Sequence, residues 1–367
     1  MLADGLSGLS VQSVIRSEGV NGLKSASWKN CIGWLINIFG SSGGDKVTQL
    51  KKIIPVLLIC FVGLAHAQSY PNKPIKLLVG FAPGGAADYV ARNISIPLGQ
   101  ALGQSIIIEN KPGAGSSIAA EQLAKSAPDG YTILIASPSS ISVNPALNPK
   151  LGYRPSDLQP ISKVTSSPVI LAVYPGSGIN SVADLIAKAQ KDPGGLNYAT
   201  SGNGSAPHLA AALFSQVTDI KMTHIPFRGG SLAIQSVIAG DTQLTFGTPP
   251  SVLPMIQAGR LRGLAVSALN RSPLAPGIPG MKEAGVPGFA IDFWYGLFVP
   301  AGTPTAIVEK IFEATQAALK QPNVKASLAR EGTDVALSTS PAQFAKFLSE
   351  DEKFWVNLVK SADVKTD

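Results

Sequence analysis

The sequence predicts an α/β protein that is built from repeated strand–loop–helix units. Short apolar runs rich in β-branched residues alternate along the chain with longer stretches of helical periodicity. Glycine-rich loops join several of these strands to the helices that follow. The 367 residues are 45% hydrophobic and only 14% charged, with 37 Gly and 28 Pro, which is typical of a soluble, loop-rich fold and long enough for two domains. Repeated units of this kind imply mostly parallel sheets with helices on both faces.

The first 67 residues are interpreted as a segment that is removed from the folded protein. Lys51 and Lys52 precede a run of twelve apolar residues, 53–64, and then the triplet Ala65-His66-Ala67. A basic region, a short apolar core and an A-x-A site predict a secretory signal peptide that is cut between Ala67 and Gln68, and therefore an exported protein. Twelve apolar residues are too few to span a bilayer, so a retained anchor is the weaker alternative.

The position of this signal inside the chain raises a question about the true start codon. A signal peptide should begin near the start of the chain, so residues 1–46 are interpreted as upstream sequence that is not translated. The alternative is an unusually long basic region. Ile59 stands before Cys60 where lipid attachment requires a small residue, so a lipoprotein is rejected.

The charge that remains after residue 67 excludes some classes of partner. Residues 68–367 hold 24 Lys/Arg and 20 Asp/Glu, a net charge of +4. The basic residues are scattered singly without interleaved aromatic residues, so nucleic-acid binding gains no support. A mild positive balance does fit the capture of small anions. Both cysteines, Cys31 and Cys60, lie in the removed segment, so no disulfide is expected.

The opening unit carries the first candidate binding site. Residues 75–81 form an apolar strand, residues 82–87 form a loop with Gly84 and Gly85, and Asp88 is a plausible N-cap of the next helix. A strand, a glycine loop and a helix start bring backbone N–H groups and a positive helix end to one point, where an anion can be held. A tight turn without a ligand is the alternative. Asp88 could also face a ligand amino group or water instead of capping its helix.

The remaining elements follow the same alternation. Further strands are predicted at residues 105–109, 131–136, 169–174, 196–200, 223–227, 244–247, 261–267 and 293–299. Further helices are predicted at residues 118–127, 182–191, 209–217, 231–239, 305–320, 322–331 and 341–359. Residues 147–159 and 277–288 are predicted to be irregular, and Pro249-Pro250 to form a turn.

Two later units repeat the opening arrangement. Residues 201–205 form a glycine-rich loop with Ser205 as the expected N-cap, and Arg228 precedes the pair Gly229-Gly230 before another helix. In open α/β sheets, ligands bind beyond the carboxyl ends of the strands. All three glycine loops could therefore face one crevice.

Catalytic and cofactor motifs are missing from this sequence. Outside the removed segment there are two histidines and no cysteine, too few for a His/Cys metal site. The chain lacks a G-x-S-x-G elbow, a P-loop and a complete dinucleotide fingerprint. His208 could donate a hydrogen bond to an anion or be a satisfied histidine, and His224 is interpreted as structural. Arg228 could bind a carboxylate with two parallel hydrogen bonds, or be solvated on its loop. We expect no enzyme, no cofactor and no metal.

Many short motifs occur along residues 68–367 in one fixed order. They are YPNKPI at 70–75, FAPGG at 81–85 with Asp88 and Arg92, ENKPGAG at 109–115, PDGYT at 128–132, GNGS at 202–205 with His208, HIPFRG at 224–229, GRLRGLA at 259–265, WYGL at 294–297 and PAGTP at 300–304. Together these motifs resemble a single family, the Bug-type extracytoplasmic solute receptors of tripartite tricarboxylate transporters, and the resemblance covers essentially all of residues 68–367.

The resemblance implies a periplasmic binding protein of the type II-like, two-lobed kind, with two mostly parallel sheets joined by two hinge strands. Lobe one would comprise residues 68–170 and 292–367, and lobe two residues 171–291. The protein would close on a ligand like a Venus flytrap and deliver it to the large and small membrane subunits of a tripartite transporter, and it would be a monomer. The ligand-binding residues carried over by the resemblance are Phe81, Ala82, Gly84, Gly85, Asp88, Ser137, Ser139, Ser201, Asn203, Gly204, Ser205, His208, Phe227, Arg228 and Gly229.

The expected function is the capture of a small organic mono-, di- or tricarboxylate without catalysis. A receptor that feeds a membrane two-component sensor is an alternative, and a small-molecule hydrolase is a remote one. Phe227-Arg228 stands where Tyr-Lys is commoner in the family, which bears on ligand choice. Fatty diacids, citrate-like acids, amino-acid carboxylates and aromatic acids all remain open as ligands.

Overall fold

The structure is a computed structural model that describes residues 70–148 and 150–361. The predicted signal peptide, its cleavage site and the upstream extension lie outside the described residues, as do Cys31 and Cys60. Among the residues described, no helix combines the length and the apolarity that crossing a membrane requires.

Eleven strands are described, and they alternate with helices along most of the chain. The strands are β1 (Ile75–Val79), β2 (Ile106–Asn110), β3 (Thr132–Ala136), β4 (Leu158–Pro168), β5 (Ile170–Val173), β6 (Asn197–Thr200), β7 (Thr223–Pro226), β8 (Leu244–Gly247), β9 (Arg262–Val266), β10 (Asp292–Pro300) and β11 (Asp334–Val335).

The α-helices described range from one to several turns. They are α1 (Ala86–Leu102), α2 (Ser117–Ala124), α3 (Asn144–Leu147), α4 (Val182–Lys191), α5 (Ala206–Thr218), α6 (Gly230–Ala239), α7 (Pro249–Gln257), α8 (Thr305–Lys320), α9 (Pro322–Arg330) and α10 (Pro341–Ser361). Single turns of 3₁₀-helix lie at Ala114–Ser116, Pro155–Asp157 and Pro175–Ser177, and a π-helical turn lies at Ser139–Val143.

The strands form two sheets, and one reversed strand sits inside each. The first sheet has the order β11-β4-β10-β3-β1-β2, and the second has the order β7-β6-β8-β5-β9. Strands β1 to β4 share one direction, and β10 runs against both of its neighbours. In the second sheet β6 to β9 share a direction, and β5 is reversed. Most strands therefore share a direction within their sheet, as predicted, although β5, β10 and the edge strand β11, which runs antiparallel to β4, make the pairing mixed.

Helices cover both faces of each sheet, which confirms the expected α/β class. On one face of the first sheet, residues of α1 and α8 such as Ile94 and Ile311 share a core with Leu77. On its other face, α2 and α10 supply a smaller core around Trp294 and Phe344. Strands that are buried on both faces need almost continuous apolar sequence, which is why β1, β3 and β10 were recognisable.

The chain crosses between the sheets twice, and a single serine ties the two crossings together. The first crossing is at Val169, between β4 and β5, and the second leads through Ile291 into β10. The hydroxyl of Ser267 accepts the Val169 N–H at 2.9 Å and donates to the Ile291 carbonyl. Its backbone bonds the same two residues, at 2.8 and 3.1 Å. Ser267 is therefore the point at which both crossing segments are anchored.

One strand and one helix differ from the prediction. Strand β4 is missed: irregular structure is predicted only up to residue 159, and no element is predicted for residues 160–168. The prolines and polar residues of β4 hide its half-buried pattern between β10 and β11. Helix α7 begins at the predicted Pro249-Pro250 turn. Proline is tolerated in the first helical turn, where its missing N–H would have no partner.

Candidate ligand-binding site

A narrow cavity lies between the two sheets, at the loops that follow their strands. Its walls come from the first sheet at Phe81, Gly85, Phe293 and Tyr295, and from the second sheet at residues near the starts of α5, α6 and α7. About 30 Å³ of the cavity can hold the centre of a water molecule, which leaves room for little more than a water or two.

Four helix N-termini meet at this cavity. The residues that line it include the N-cap of α1 (Gly85), the first residues of α5 (Ala206) and α6 (Gly230), and the N-cap of α7 (Thr248). Each helix start carries unpaired N–H groups and the positive end of the helix dipole. In α1 the N–H groups of Gly85, Ala86 and Ala87 make no hydrogen bond to the described part of the chain. Such a convergence favours an anion.

The walls of the cavity bear no Asp, Glu, Lys, Arg or His side chain among the residues that the structure describes. They offer hydroxyl groups instead, at Ser201, Thr248 and Ser251, whereas the Thr245 hydroxyl on the same wall already donates to the Ala199 carbonyl at 2.8 Å. Tyr295 adds a further hydroxyl that has no hydrogen-bond partner among the described residues, and burial raises its pKa, so the phenol stays protonated. All these donors are neutral. An anion would thus be held by dipoles rather than by a counter-charge.

Asp88 lies beside this site but is not the N-cap of α1. The helix begins two residues earlier, with Gly85 as an extended N-cap, because a residue without a side chain can approach the cavity. Asp88 accepts the Gly84 N–H at 3.0 Å, two hydrogen bonds from Arg92 at 2.7 and 3.0 Å, and one from Asn110 at 3.0 Å. Burial alone would raise the pKa of Asp88, but these hydrogen bonds outweigh burial and hold the pKa below its ordinary value. The prediction that Asp88 is the N-cap of this helix is wrong. The Gly84 N–H already donates to Asp88 and is therefore not available to a ligand.

His208 holds the second glycine loop, residues 201–205, in place by a hydrogen bond. Its Nδ1 accepts the Gly204 N–H at 3.1 Å, and its ring stacks on His224 with centroids 3.9 Å apart. Burial, together with the neighbouring His224, lowers the pKa of His208 to about 3. The ring is therefore neutral near pH 7 and acts as an acceptor for the loop. His224 in turn lies 2.6 Å from the Thr200 hydroxyl and stacks on Tyr198.

The loops of the two sheets touch on both sides of the cavity. A Cβ added at Gly229 would lie 2.9 Å from the Cβ of Ala82, and Ser231 Oγ lies 3.5 Å from the Pro83 carbonyl. At the other contact, a Cβ added at Gly204 would lie 2.5 Å from Asn144 Oδ1. Glycine allows these close approaches between the loops of the two sheets.

The other predicted site residues lie near the cavity but not on its walls. Ser137 and Ser139 are fully buried after β3, and their hydroxyls have no partner among the described residues. Phe227 is half-buried against the core of the second sheet, and its N–H bonds the Thr200 carbonyl at 2.9 Å. Arg228 is exposed. Ser205 is the N-cap of α5, as predicted, with its hydroxyl donating to the Gly202 carbonyl.

Sequence reasoning missed the part of the cavity that β8 and β10 supply. Thr245, Gly247, Thr248 and Ser251 belong to a fourth strand–loop–helix unit, which was hidden because Pro249-Pro250 suggested a turn. The signal was a Thr in the N-cap position just before two prolines. Within residues 70–148 and 150–361, no group of three or more His, Cys, Asp or Glu could hold a metal ion.

Comparison with known proteins identifies relatives along most of the chain. The model of the "Tripartite tricarboxylate transporter family receptor" matches residues 90–364. Protein BugT of Bordetella pertussis is 32% identical over 324 residues, which cover 87% of this chain and 99% of BugT.

Solved structures show the same two-sheet architecture. Rpa4515 of R. palustris, in a structure with adipate, superposes with a TM-score of 0.77 at 32% identity and covers 81% of this chain and 99% of that one. MatC of Rhodopseudomonas palustris, with bound malate, has a TM-score of 0.75 at 32% identity, with 79% and 100% covered. The fold is accordingly that of a two-lobed periplasmic binding protein, and the chain belongs to the family of tripartite tricarboxylate transporter receptors.

Proposed function

We propose that this protein captures a small organic carboxylate between its two sheets and delivers it to the membrane subunits of a tripartite transporter, without chemical turnover. The observation that carries the proposal is the meeting of four helix N-termini at a cavity whose described walls hold no charged side chain. A second support is that MatC and Rpa4515, each about a third identical, have structures with malate and adipate.

In this proposal the ligand carboxylate binds the free N–H groups at the start of α1, from Gly85 to Ala87. The starts of α5, α6 and α7 and the Tyr295 hydroxyl would receive the rest of the ligand. Of the predicted loops, 201–205 lines the cavity at Ser201, and loops 137–139 and 227–229 would complete the proposed site. Asp88 and His208 would act indirectly, because each holds a glycine loop in place rather than facing the ligand.

Ligand entry requires the two halves to separate, since the closed cavity is too small for a dicarboxylate. The proposed lobes are residues 68–170 with 292–367, and residues 171–291, which would rotate about the crossings at Val169 and Ile291. Strands β1 to β4, β10 and β11 fall in the first group, and nearly all of β5 to β9 in the second, which supports this division. We further propose that the signal peptide directs the protein to the periplasm.

The proposed binding energy is modest. Micromolar affinity corresponds to about −8 kcal/mol. Two or three charge-assisted hydrogen bonds, each about 1.5–3 kcal/mol before ordering costs, account for much of it.

The experiment is a thermal-shift screen of the protein recovered from the periplasm of an expressing host. The panel holds mono-, di- and tricarboxylates, including malate and adipate, with amines and neutral sugars of similar size as controls. At 100 times its Kd a ligand adds about 2.7 kcal/mol, a rise of several degrees in Tm. A carboxylate hit supports the proposal. Shifts with amines or sugars alone, or turnover of a carboxylate by the pure protein, would contradict it.

Transport and sensing are separated by a deletion strain that is offered the identified carboxylate. Lost uptake with normal induction of the uptake genes supports delivery to a transporter. Lost induction with uptake intact would instead assign the receptor to a membrane sensor.

A further inference from the structure

A second cavity lies where the chain crosses between the two sheets. It is lined by the end of β4 at Pro168, by the start of β10 at Asp292, and by Ser267 from the second sheet. Helix α10 closes it with Asp351, Phe354 and Trp355. About 350 Å³ of this space can hold the centre of a water molecule, which is the size of a small-molecule site. We call it the hinge pocket.

Two carboxylates give the hinge pocket its charge. Asp351 Oδ2 accepts the indole N–H groups of Trp294 and Trp355, both at 2.8 Å, and its Oδ1 has no hydrogen-bond partner among the described residues. Asp292 is exposed and accepts the hydroxyl of Ser166. An acidic pocket with an unused carboxylate oxygen favours a cationic occupant.

Nearby charges leave this region acidic. Burial raises the pKa of Asp351, and Asp292 adds to the rise against the opposing effects of the two indoles and Lys163. Asp292 also contributes to the raised pKa of Asp334, after burial. Lys163 does not form an ion pair within 4 Å in the described chain and lies over the ring of Phe347 at 4.5 Å. Burial lowers the pKa of Lys163, and the charges of Asp292 and Asp351 partly oppose this shift.

Aromatic and apolar walls decide which kind of cation fits. Phe354 is 44% exposed at the pocket, and Trp355 packs against it with centroids 5.0 Å apart. Two carboxylates are too few for a metal ion in such surroundings, and the described residues offer no cluster of three ligands. A flat guanidinium can bond a carboxylate and stack on an aromatic ring at the same time.

We propose that the hinge pocket binds an organic cation that carries a guanidinium group, next to Asp292 and Asp351 and against Phe354. One packing contact connects the walls of the two sites: Trp355, which lines the pocket, packs edge-on against Phe293, which lines the proposed ligand cavity, with centroids 5.9 Å apart. Ser267, which anchors both crossing segments, lies in the pocket wall. A bound cation therefore changes the affinity for the carboxylate, and the carboxylate changes the affinity for the cation by the same factor.

The tryptophans of the chain provide a built-in reporter. Of the four, Trp28 and Trp34 lie in the segment predicted to be removed, and Trp294 and Trp355 both bond Asp351. Fluorescence of the exported protein therefore comes from two indoles that both donate to a carboxylate of the hinge pocket. If residues 1–67 remain attached, Trp28 and Trp34 are replaced by Phe for the measurement.

The test compares butylguanidinium with butylurea, a neutral molecule of nearly the same shape, at constant ionic strength. Titration of the exported protein is followed by tryptophan fluorescence and by calorimetry. We expect saturable binding of butylguanidinium and at least tenfold weaker binding of butylurea. Asp292→Asn should weaken the binding of butylguanidinium at least fivefold. Asp334→Asn, a matched charge change outside the pocket wall, should weaken this binding less. Equal binding of the two probes, or no effect of Asp292→Asn, would overturn the proposal.

The coupling is measured separately, with the carboxylate found by thermal shift. Saturating butylguanidinium should change the carboxylate Kd at least threefold in the parent protein but not in Asp292→Asn. This part rests on the proposed function, whereas the guanidinium titration does not. If no carboxylate binds, the proposed function fails and the titration still decides the pocket. An unchanged carboxylate Kd with guanidinium bound would overturn the coupling.

Discussion

The ligand cavity and the hinge pocket lie at adjacent residues of the same strand, yet their chemistry is opposite. Phe293 of β10 lines the cavity, whose described walls have no charged side chain, and Asp292 lines the pocket beside a second carboxylate. The cavity offers N–H groups and hydroxyls, which do not titrate near neutral pH. The comparison teaches that this chain uses backbone dipoles where we propose an anion, and ionised side chains where we propose a cation.

The largest expected effect comes from giving the cavity a charge of its own. Thr248→Asp keeps a good N-cap for α7 but places a carboxylate where the ligand would bind. We expect at least a 100-fold loss of carboxylate affinity, because like charges in a closed site cost several kcal/mol. Calorimetry measures the loss. The matched control is Thr248→Asn, which also caps the helix but adds no charge. Its carboxylate affinity should stay within about threefold of that of the parent. Equal losses in both variants would contradict an electrostatic origin.

A smaller effect is expected from keeping the two halves apart. Gly229→Ala adds a Cβ 2.9 Å from that of Ala82, at a φ of 151° that side chains rarely adopt. Overpacking of about 1–3 kcal/mol in the closed form alone predicts a loss of carboxylate affinity of about 5- to 100-fold. Gly277→Ala is the control, because a Cβ there meets nothing within 4 Å. Unchanged affinity in Gly229→Ala would show that this contact does not accompany binding.

Acidification should separate the two regions by the sign of its effect on stability. His208 has a folded pKa of about 3, below its ordinary value of 6.5. Its contribution to the free energy of unfolding is complete above pH 6.5 and is lost as the pH falls from there toward 3. The folded pKa of Asp351 is raised, so its ionisation costs stability, and this cost disappears as the pH falls through that pKa.

Denaturant unfolding between pH 4 and 8 checks these signs. His208→Gln retains an acceptor for the Gly204 N–H without the titration, so its stability should fall less than that of the parent below pH 6.5. The free energy of unfolding of Asp351→Asn should fall furthest below that of the parent at acid pH, where the Asp351 carboxyl of the parent is neutral. Identical pH profiles for parent and His208→Gln would contradict a buried, neutral imidazole.

The sequence predicted the frame well because buried strands leave a strong apolar pattern. Strands β1, β3 and β10 and the glycine loops after β1, β6 and β7 were all recognised this way. The sequence analysis missed β4, whose half-buried pattern includes many polar residues. It also missed α7, because Pro249-Pro250 suggested a turn although the helix begins at these prolines. Asp88 was assigned as a cap because local sequence cannot show its bonds to Arg92 and Asn110. The hinge pocket was invisible because it joins residues far apart in the chain.

The central claim is that backbone N–H groups at the start of α1 hold the ligand carboxylate. Ala86→Pro removes one such N–H at the first helical position, where proline is well tolerated, and Gly85 already has the extended conformation that precedes proline. Thr305→Pro makes the same change at the start of α8, away from the cavity. Calorimetry with the identified carboxylate should show about a 10- to 100-fold weaker Kd for Ala86→Pro, with Thr305→Pro unchanged. Equal affinity in both folded variants would contradict the claim.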